Sequence, residues 1–155
     1  MTPAINQLIA TKIKHSVLAY THDPTSASFG LEAAEKLNLP SKLVFKTLMV
    51  TLDGRDLVVA IVPVDTTLNM KKLAKIAKSK KAEMASQQSA EKSSGYILGG
   101  ISPLGQKRKL KTFIDESALE FEKIYVSGGK RGLEIELSAL DLISITKAVV
   151  CSLKK

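Results

Sequence analysis

A mixed α/β fold of about seven strands with surrounding helices is predicted by three features of the 155-residue sequence. Residues 44–50 and 57–64 are runs apolar on both faces, joined through Asp53-Gly54, a pair that tolerates the positive φ angles of a tight hairpin. Leu133-Glu134-Ile135-Glu136-Leu137 alternates with the two-residue period of a strand whose leucines and isoleucine face inward. Between such strands, apolar residues recur at helical spacing. No repeat, low-complexity tract or linker interrupts the pattern, so one domain over 1–155 is expected.

Taken in order, Thr2 is placed to cap a helix with Pro3 in its first turn and Ile5, Leu8, Ile9 and Ile13 on one face. A short strand is expected over 16–21, with His15 at a helix end before it and His22-Asp23-Pro24 breaking regular structure after it. Residues 26–30 then lead into a helix over 31–37, closed near Asn38 and Pro40. After the hairpin, residues 70–81 predict a helix with Met70, Leu73, Ile76 and Ala77 on one face and six lysines around the rest. A strand over 82–85 and a helix from Ser86 to Ser94, stopped by Gly95, come next. Short strands over 113–114 and 123–127 flank a helical turn at 115–121, and Ser138 caps a final helix.

Twenty-three basic against fifteen acidic side chains give a net charge of +8, which favours phosphate-rich partners. The lone cysteine, Cys151, rules out an intramolecular disulfide, and residues 1–8 lack a signal-peptide pattern, so a cytoplasmic location is expected. No window reaches the roughly 18 apolar residues of a membrane span, and two histidines with one cysteine argue against a dedicated zinc site. No cofactor is expected. His15 and His22 are read as surface residues, no nucleophile elbow is present, and Cys151 reads as a small packed hydrophobe. Hydrolysis in such a chain would rest on backbone donors, fixed charge and groups of the substrate.

Lys46 stands out inside the apolar strand 44–50, on the face of Val44, Leu48 and Val50. It is either a core lysine whose amine reaches an edge or a partner carboxylate, or a fixed cation facing a cleft. Residues 99–105 (GGISPLG) and 128–132 (GGKRG) form two glycine loops. Neither fits the P-loop or dinucleotide patterns; each is either an ordinary tight turn or a set of N–H groups aimed at an anion.

The run Phe45-Lys46-Thr47-Leu48, the GGISPLG loop and YVSGGKRGLEIEL at 125–137, with Thr2-Pro3-Ala4, Tyr20, His22-Asp23-Pro24 and Phe29-Gly30, closely resemble the YbaK family of aminoacyl-tRNA deacylases. The resemblance implies an α/β fold around a curved, barrel-like mixed sheet, related to the editing domain of bacterial prolyl-tRNA synthetase. It implies removal of cysteine from Cys-tRNA(Pro), with the substrate thiol attacking its own ester. It assigns the essential lysine to Lys46, with backbone groups of Gly100 and Ile101 at the aminoacyl end. Tyr20, Phe29, Thr47, Ser127, Gly128 and Gly129 would line the pocket, and Glu134 stands where the family usually has aspartate. Lys71, Lys72, Lys75, Lys78, Lys107 and Arg108 would hold tRNA phosphates, with prolyl-tRNA synthetase as the first candidate partner. The alternatives are a deacylase for another mischarged tRNA, such as Ala-tRNA(Pro), and a non-catalytic RNA-binding module.

Overall fold

The computed structural model describes residues 1–26 and 28–155; Ala27, in the expected connection at 26–30, lies outside the described residues. Helix α1 (Pro3–Ala10) begins as its sequence demands, the Thr2 hydroxyl accepting the Ile5 amide at 3.3 Å. It buries Ala4, Ile5 and Leu8. Ile9 projects outward and is 52% exposed, and because the helix stops at Ala10, Ile13 reaches the core only from the following turn.

Strand β1 (His15–Ala19) includes His15, which had been expected at a helix end. Helix α2 (Phe29–Lys36) starts two residues earlier than its periodicity suggested and ends before Asn38 in the left-handed region. Strands β2 (Phe45–Leu52) and β3 (Asp56–Pro63) form the expected hairpin, with Asp53 and Gly54 at φ of 53° and 67° in the turn.

The lysine-rich helix is shorter than its pattern. Helix α3 covers Met70–Ile76 rather than 70–81, and Lys78 turns left-handed at φ 58°. Asp53 supplies the reason: its Oδ1 accepts the amides of Lys80 and Lys81 at 2.9 Å each, pulling that segment onto the hairpin turn. Strand β4 (Ala82–Met84) and helix α4 (Gln87–Ser94), closed by Gly95, follow as predicted. Strand β5 (Thr112–Asp115), a 3₁₀ turn over Glu116–Glu120, strand β6 (Lys123–Ser127), strand β7 (Leu133–Ser138) and helix α5 (Ala139–Thr146) complete the expected series. Strand β8 (Val149–Cys151) is an eighth strand, three residues long, that the sequence pattern did not reveal.

The strands form two sheets, β1-β7-β6 and β4-β2-β3-β5-β8. Among the described residues one parallel bridge, Val44 to Tyr125, joins them, and they are not closed into a barrel. One core lies between them: Phe45, Met49 and Ile61 of the larger sheet pack with Ile124, Ile135 and Leu137 of the smaller, closed by α1, α5 and Leu104. A second cluster puts Leu73 and Ala74 of α3 against Val50, Val58 and Val62 on the other face of the larger sheet. A third puts Ala34 of α2 against Val44, Val64 and Tyr125. No described helix is long and apolar enough to cross a membrane.

Asp115 fastens the end of the chain. It is fully buried and accepts the amides of Ser117 (3.0 Å), Leu153 (2.8 Å) and Lys154 (3.2 Å). Burial by itself would raise its pKa, but these donors outweigh it and hold the carboxyl below the usual aspartate value. The group is therefore more acidic folded than unfolded, so its stabilisation is present above the ordinary aspartate range and disappears as pH falls through the folded value. Asp115→Ala, which strands two buried donors and one part-buried one, is expected to cost about 3 kcal/mol at pH 7. In urea denaturation the gap to wild type should narrow at pH 3; a constant gap would show that ionisation of Asp115 contributes nothing.

Candidate active site

Four stretches remote in sequence enclose a cavity of about 260 Å³. Its walls are the start of α2 (Ser28, Phe29, Gly30), residues 44–48 of the second strand and its approach, the loop carrying Leu98, Gly99 and Ile101, and Ser127 with Glu134. Pairing register explains the assembly. Val44 bridges Tyr125 in parallel, so Lys46 and Ser127, each two residues further on, keep the same face. Ser127 in turn pairs with Glu134, which places the cation, the hydroxyl and the carboxyl in one row across three strands.

The cavity exists because the edge of β2 is left open there. Val44 O accepts from Val64 N and Met49 O accepts from Ala85 N, so the backbone groups of alternate residues point to opposite edges. By that alternation Thr47 directs its N–H and C=O to the edge between the Tyr125 bridge and β4, where no strand pairs with it. The Thr47 hydroxyl is buried and has no hydrogen-bond partner among the described residues.

Lys46 is half-buried and forms no ion pair within 4 Å among the described residues. Burial draws its pKa below the usual lysine value, opposed by the charge of Asp65. Glu134 is 7% exposed, its Oε2 has no partner among the described residues, and burial pushes its pKa up to about 8. At neutral pH it is thus largely a neutral carboxylic acid, able to donate a hydrogen bond. The alternating strand therefore has no solvent face: Glu134 faces the cavity, and Glu136 accepts the Tyr125 hydroxyl.

Further donors come from backbone. The Ile101 and Gly99 amides have no partner among the described residues. Ser28 provides no side-chain cap, so the first N–H groups of α2 open on the same wall. The Gly100 amide, by contrast, is committed to Ile97 O at 2.8 Å, the Gly128 amide to Leu133 O at 2.8 Å, and the Gly129 amide to the Ser127 hydroxyl at 3.2 Å.

Of the residues singled out in the sequence, Phe29, Lys46, Thr47, Ile101, Ser127 and Glu134 line the cavity, whereas Tyr20, Gly100, Gly128 and Gly129 are not among its lining residues. Tyr20 is within reach of the Glu134 charge: burial first, and that charge second, push its pKa up to about 12. Lys71, Lys72, Lys75, Lys78, Lys107 and Arg108 all lie outside the cavity lining. The Lys72 amine is held at 3.2 Å by both Ser152 Oγ and Lys154 O. His22 is not the free surface residue its turn suggested; its Nδ1 lies 2.7 Å from Glu32 Oε1 and its ring packs 5.8 Å from that of Phe29.

Sequence reasoning passed over Arg131. Its Nε donates to Leu98 O at 2.9 Å and its guanidinium lies 4.8 Å from the centre of the Phe29 ring, tying three walls together at the rim. Gly99 fits beneath it at φ 88°, where a β-carbon would come within 2.8 Å of Arg131 Nε and 2.9 Å of the Phe29 ring. The usable signal was an arginine inside the second glycine loop. Among the described residues no cluster of three or more His, Cys, Asp or Glu side chains could hold a metal ion.

Residues 24–145 match the family described as the aminoacyl-tRNA editing domain. The chain belongs to that family. A relative from Enterococcus faecalis, provisionally named Cys-tRNA(Pro)/Cys-tRNA(Cys) deacylase EbsC, is 38% identical over 133 residues, spanning 86% of this chain and 79% of its own. Among solved structures, one described provisionally as a trans-editing enzyme for prolyl-tRNA synthetase superposes with a TM-score of 0.83 at 20% identity, covering 99% of this chain and 95% of the other. Another, known only as a hypothetical protein, gives 0.88 at 22% identity and 99% coverage of both chains. At these identities the two superpositions establish the fold of this editing domain.

The buried Glu134 has a measurable consequence. Its pKa rises from an ordinary 4.5 to about 8 in the fold, so the folded state keeps a proton that the unfolded chain releases. Stability from this group is therefore full below about pH 4.5 and falls as pH climbs through about 8. Glu134→Gln, which stays neutral, is expected to lose less melting temperature than wild type between pH 5 and pH 9. Parallel pH profiles for the two proteins would place the carboxyl in solvent.

Proposed function

We propose that this editing domain removes cysteine from mischarged Cys-tRNA(Pro). The observation that supports it best is the cavity itself: a space of about 260 Å³ bordered by Lys46, the buried Glu134 carboxyl and N–H groups unpartnered among the described residues. That volume lies just under the 300 Å³ or so at which pockets for drug-sized ligands begin, and suits a small aminoacyl group. The surrounding groups suit an ester that acquires negative charge.

In this reading the cysteine sulfur bonds to its own ester carbonyl carbon. The bond from that carbon to the ribose oxygen breaks, and the thiol proton ends on the ribose oxygen. Water then opens the resulting cyclic thioester to cysteine. The protein needs no nucleophile of its own. Ile101 and Gly99 amides stabilise the developing oxyanion, Lys46 places a fixed positive charge beside the terminal nucleotide, and Glu134 donates as a neutral acid instead of repelling the oxyanion. Tyr20, Phe29, Thr47, Ser127, Gly128 and Gly129 shape the pocket, with the Gly100 turn holding Ile101 in place.

Lys71, Lys72, Lys75, Lys78, Lys107 and Arg108 contribute phosphate attraction that is blind to sequence. Identity of the tRNA then comes from a partner, and prolyl-tRNA synthetase is the first to test. A single domain over 1–155 acting in the cytoplasm accords with this role.

Purified protein is expected to release cysteine from Cys-tRNA(Pro) faster than from a buffer blank, with Ala-tRNA(Pro) much slower for want of a thiol. Cys-tRNA(Cys) should be cleaved when no synthetase is present. Lys46→Ala is expected to lower kcat/KM by at least about 100-fold, the loss typical of removing one group that stabilises a transition state. Equal rates on the cysteinyl and alanyl substrates would defeat thiol assistance, and an active Lys46→Ala would remove Lys46 from the mechanism.

A further inference from the structure

A second, larger cleft of about 460 Å³ lies between α1, the segment leading into β5 and the end of α5. Four cations line it, Arg108, Lys109, Lys111 and Lys147, and no carboxylate does. All four are exposed, and none forms an ion pair within 4 Å among the described residues. Four like charges around one concavity repel each other, and an anion laid between them relieves that repulsion.

Lys147 sharpens the point. It occupies the left-handed cap of α5 at φ 55°, a conformation in which glycine is unstrained and a β-carbon is not. Lys12 and Lys78 hold the same conformation outside the cleft, so the cap marks Lys147 as a position where glycine removes the charge without adding strain.

The uncharged groups are largely committed elsewhere. Thr112 and Thr146 give their hydroxyl protons to Leu110 O (3.1 Å) and Leu142 O (2.7 Å). Gln7 is fixed by the Gly105 amide at 2.7 Å, which leaves its own amide nitrogen as a donor at the wall. The attraction for phosphate therefore comes from the four cations, with the Gln7 amide nitrogen as a neutral donor beside them, while the two hydroxyls, their protons committed, add none.

Position supplies the link to the active site. One loop, 99–105, gives Gly99 and Ile101 to the first cavity and Pro103 and Gly105 to the second. Two residues of chain span at most about 7 Å, so the walls of the two sites stand that close at this loop. Helix α3, the other basic element, shares no lining residue with the first cavity.

We propose that the second cleft is a phosphodiester track, which grips the RNA strand running up to the aminoacylated end while the ester occupies the first cavity. This rests on the deacylase reading, and Lys147 and Gln7 enter the substrate-binding surface with the basic segment 108–111. A free polyphosphate presents the same chemistry, and the test separates the two sources.

Lys109→Gln, Lys111→Gln and Lys147→Gly are to be combined, and Lys147→Gly also made alone, since glycine at that cap is expected to fold at least as well as lysine. With Cys-tRNA(Pro) the triple variant is expected to raise KM about tenfold or more and to lower the slope of log affinity against log salt by about 2 to 3, one per lost phosphate contact. Its kcat, and its turnover of cysteinyl-adenosine, should match wild type. Lys147→Gly alone should shift KM and salt slope in the same direction by about one contact's worth. Unchanged KM and salt slope on tRNA in well-folded variants would overturn the proposal. So would an equal loss on tRNA and cysteinyl-adenosine, or competition by pyrophosphate as strong as competition by uncharged tRNA. Were the wild type to deacylate nothing, the functional reading would fail; uncharged tRNA binding that the variants lose would still support the track.

Discussion

One backbone bridge, Val44 to Tyr125, decides the geometry of the site. It joins the two sheets at the start of β2, while β4 takes up the same edge only from Met49 onward. The strand is thus held at both ends and open between them. Its parity carries Lys46 across to Ser127 and Glu134, which come from a different sheet and from a part of the sequence some 80 to 90 residues away. Slipping the bridge by one residue would put Lys46 into the shared core and Phe45 onto the cavity face. Packing on both sides, with Phe45 in one cluster and Val44 in another, fixes the register.

The site's electrostatics follow from how deeply each group is set. Burial draws the Lys46 pKa down and the Asp65 charge opposes it, whereas Glu134 at 7% exposure has no such opposing charge and burial raises its pKa to about 8. A charged carboxylate in that position would weaken an oxyanion site, and burial removes the difficulty. The Arg131 clasp over Phe29 and Leu98 holds the rim through an exposed side chain, so the walls are tied from outside while the interior is left to the reacting groups.

Much of this was legible in the sequence, for reasons that can be named. The Thr2, Ser86 and Ser138 caps and the Asp53-Gly54 turn are local chemistry, and all four occur where the residues demanded them. Lys46 stood out because a charge in a two-faced apolar strand is rare. Tertiary contacts hid the rest. Helix α3 stops at Ile76 because Asp53, seventeen residues before the helix begins, captures the amides that would have continued it. His22 is engaged by Glu32, and β8 is a three-residue strand that exists through Asp115 and its parallel neighbour. Whether the glycine amides are free could not be read from composition: Gly99 and Gly100 are adjacent, yet only the second is tied down by a turn.

The opening in β2 also bears on how the protein behaves among its own copies. Unpaired strand edges are where chains add to one another and aggregate, and long flat ones are the hazard. Here the gap between the Tyr125 bridge and β4 is only a few residues long, and α2 and the 98–101 loop stand over it. A gap that short cannot take an incoming strand, which needs a run of alternating pairs. Unpaired backbone thereby borders the cavity without becoming a template for fibrils.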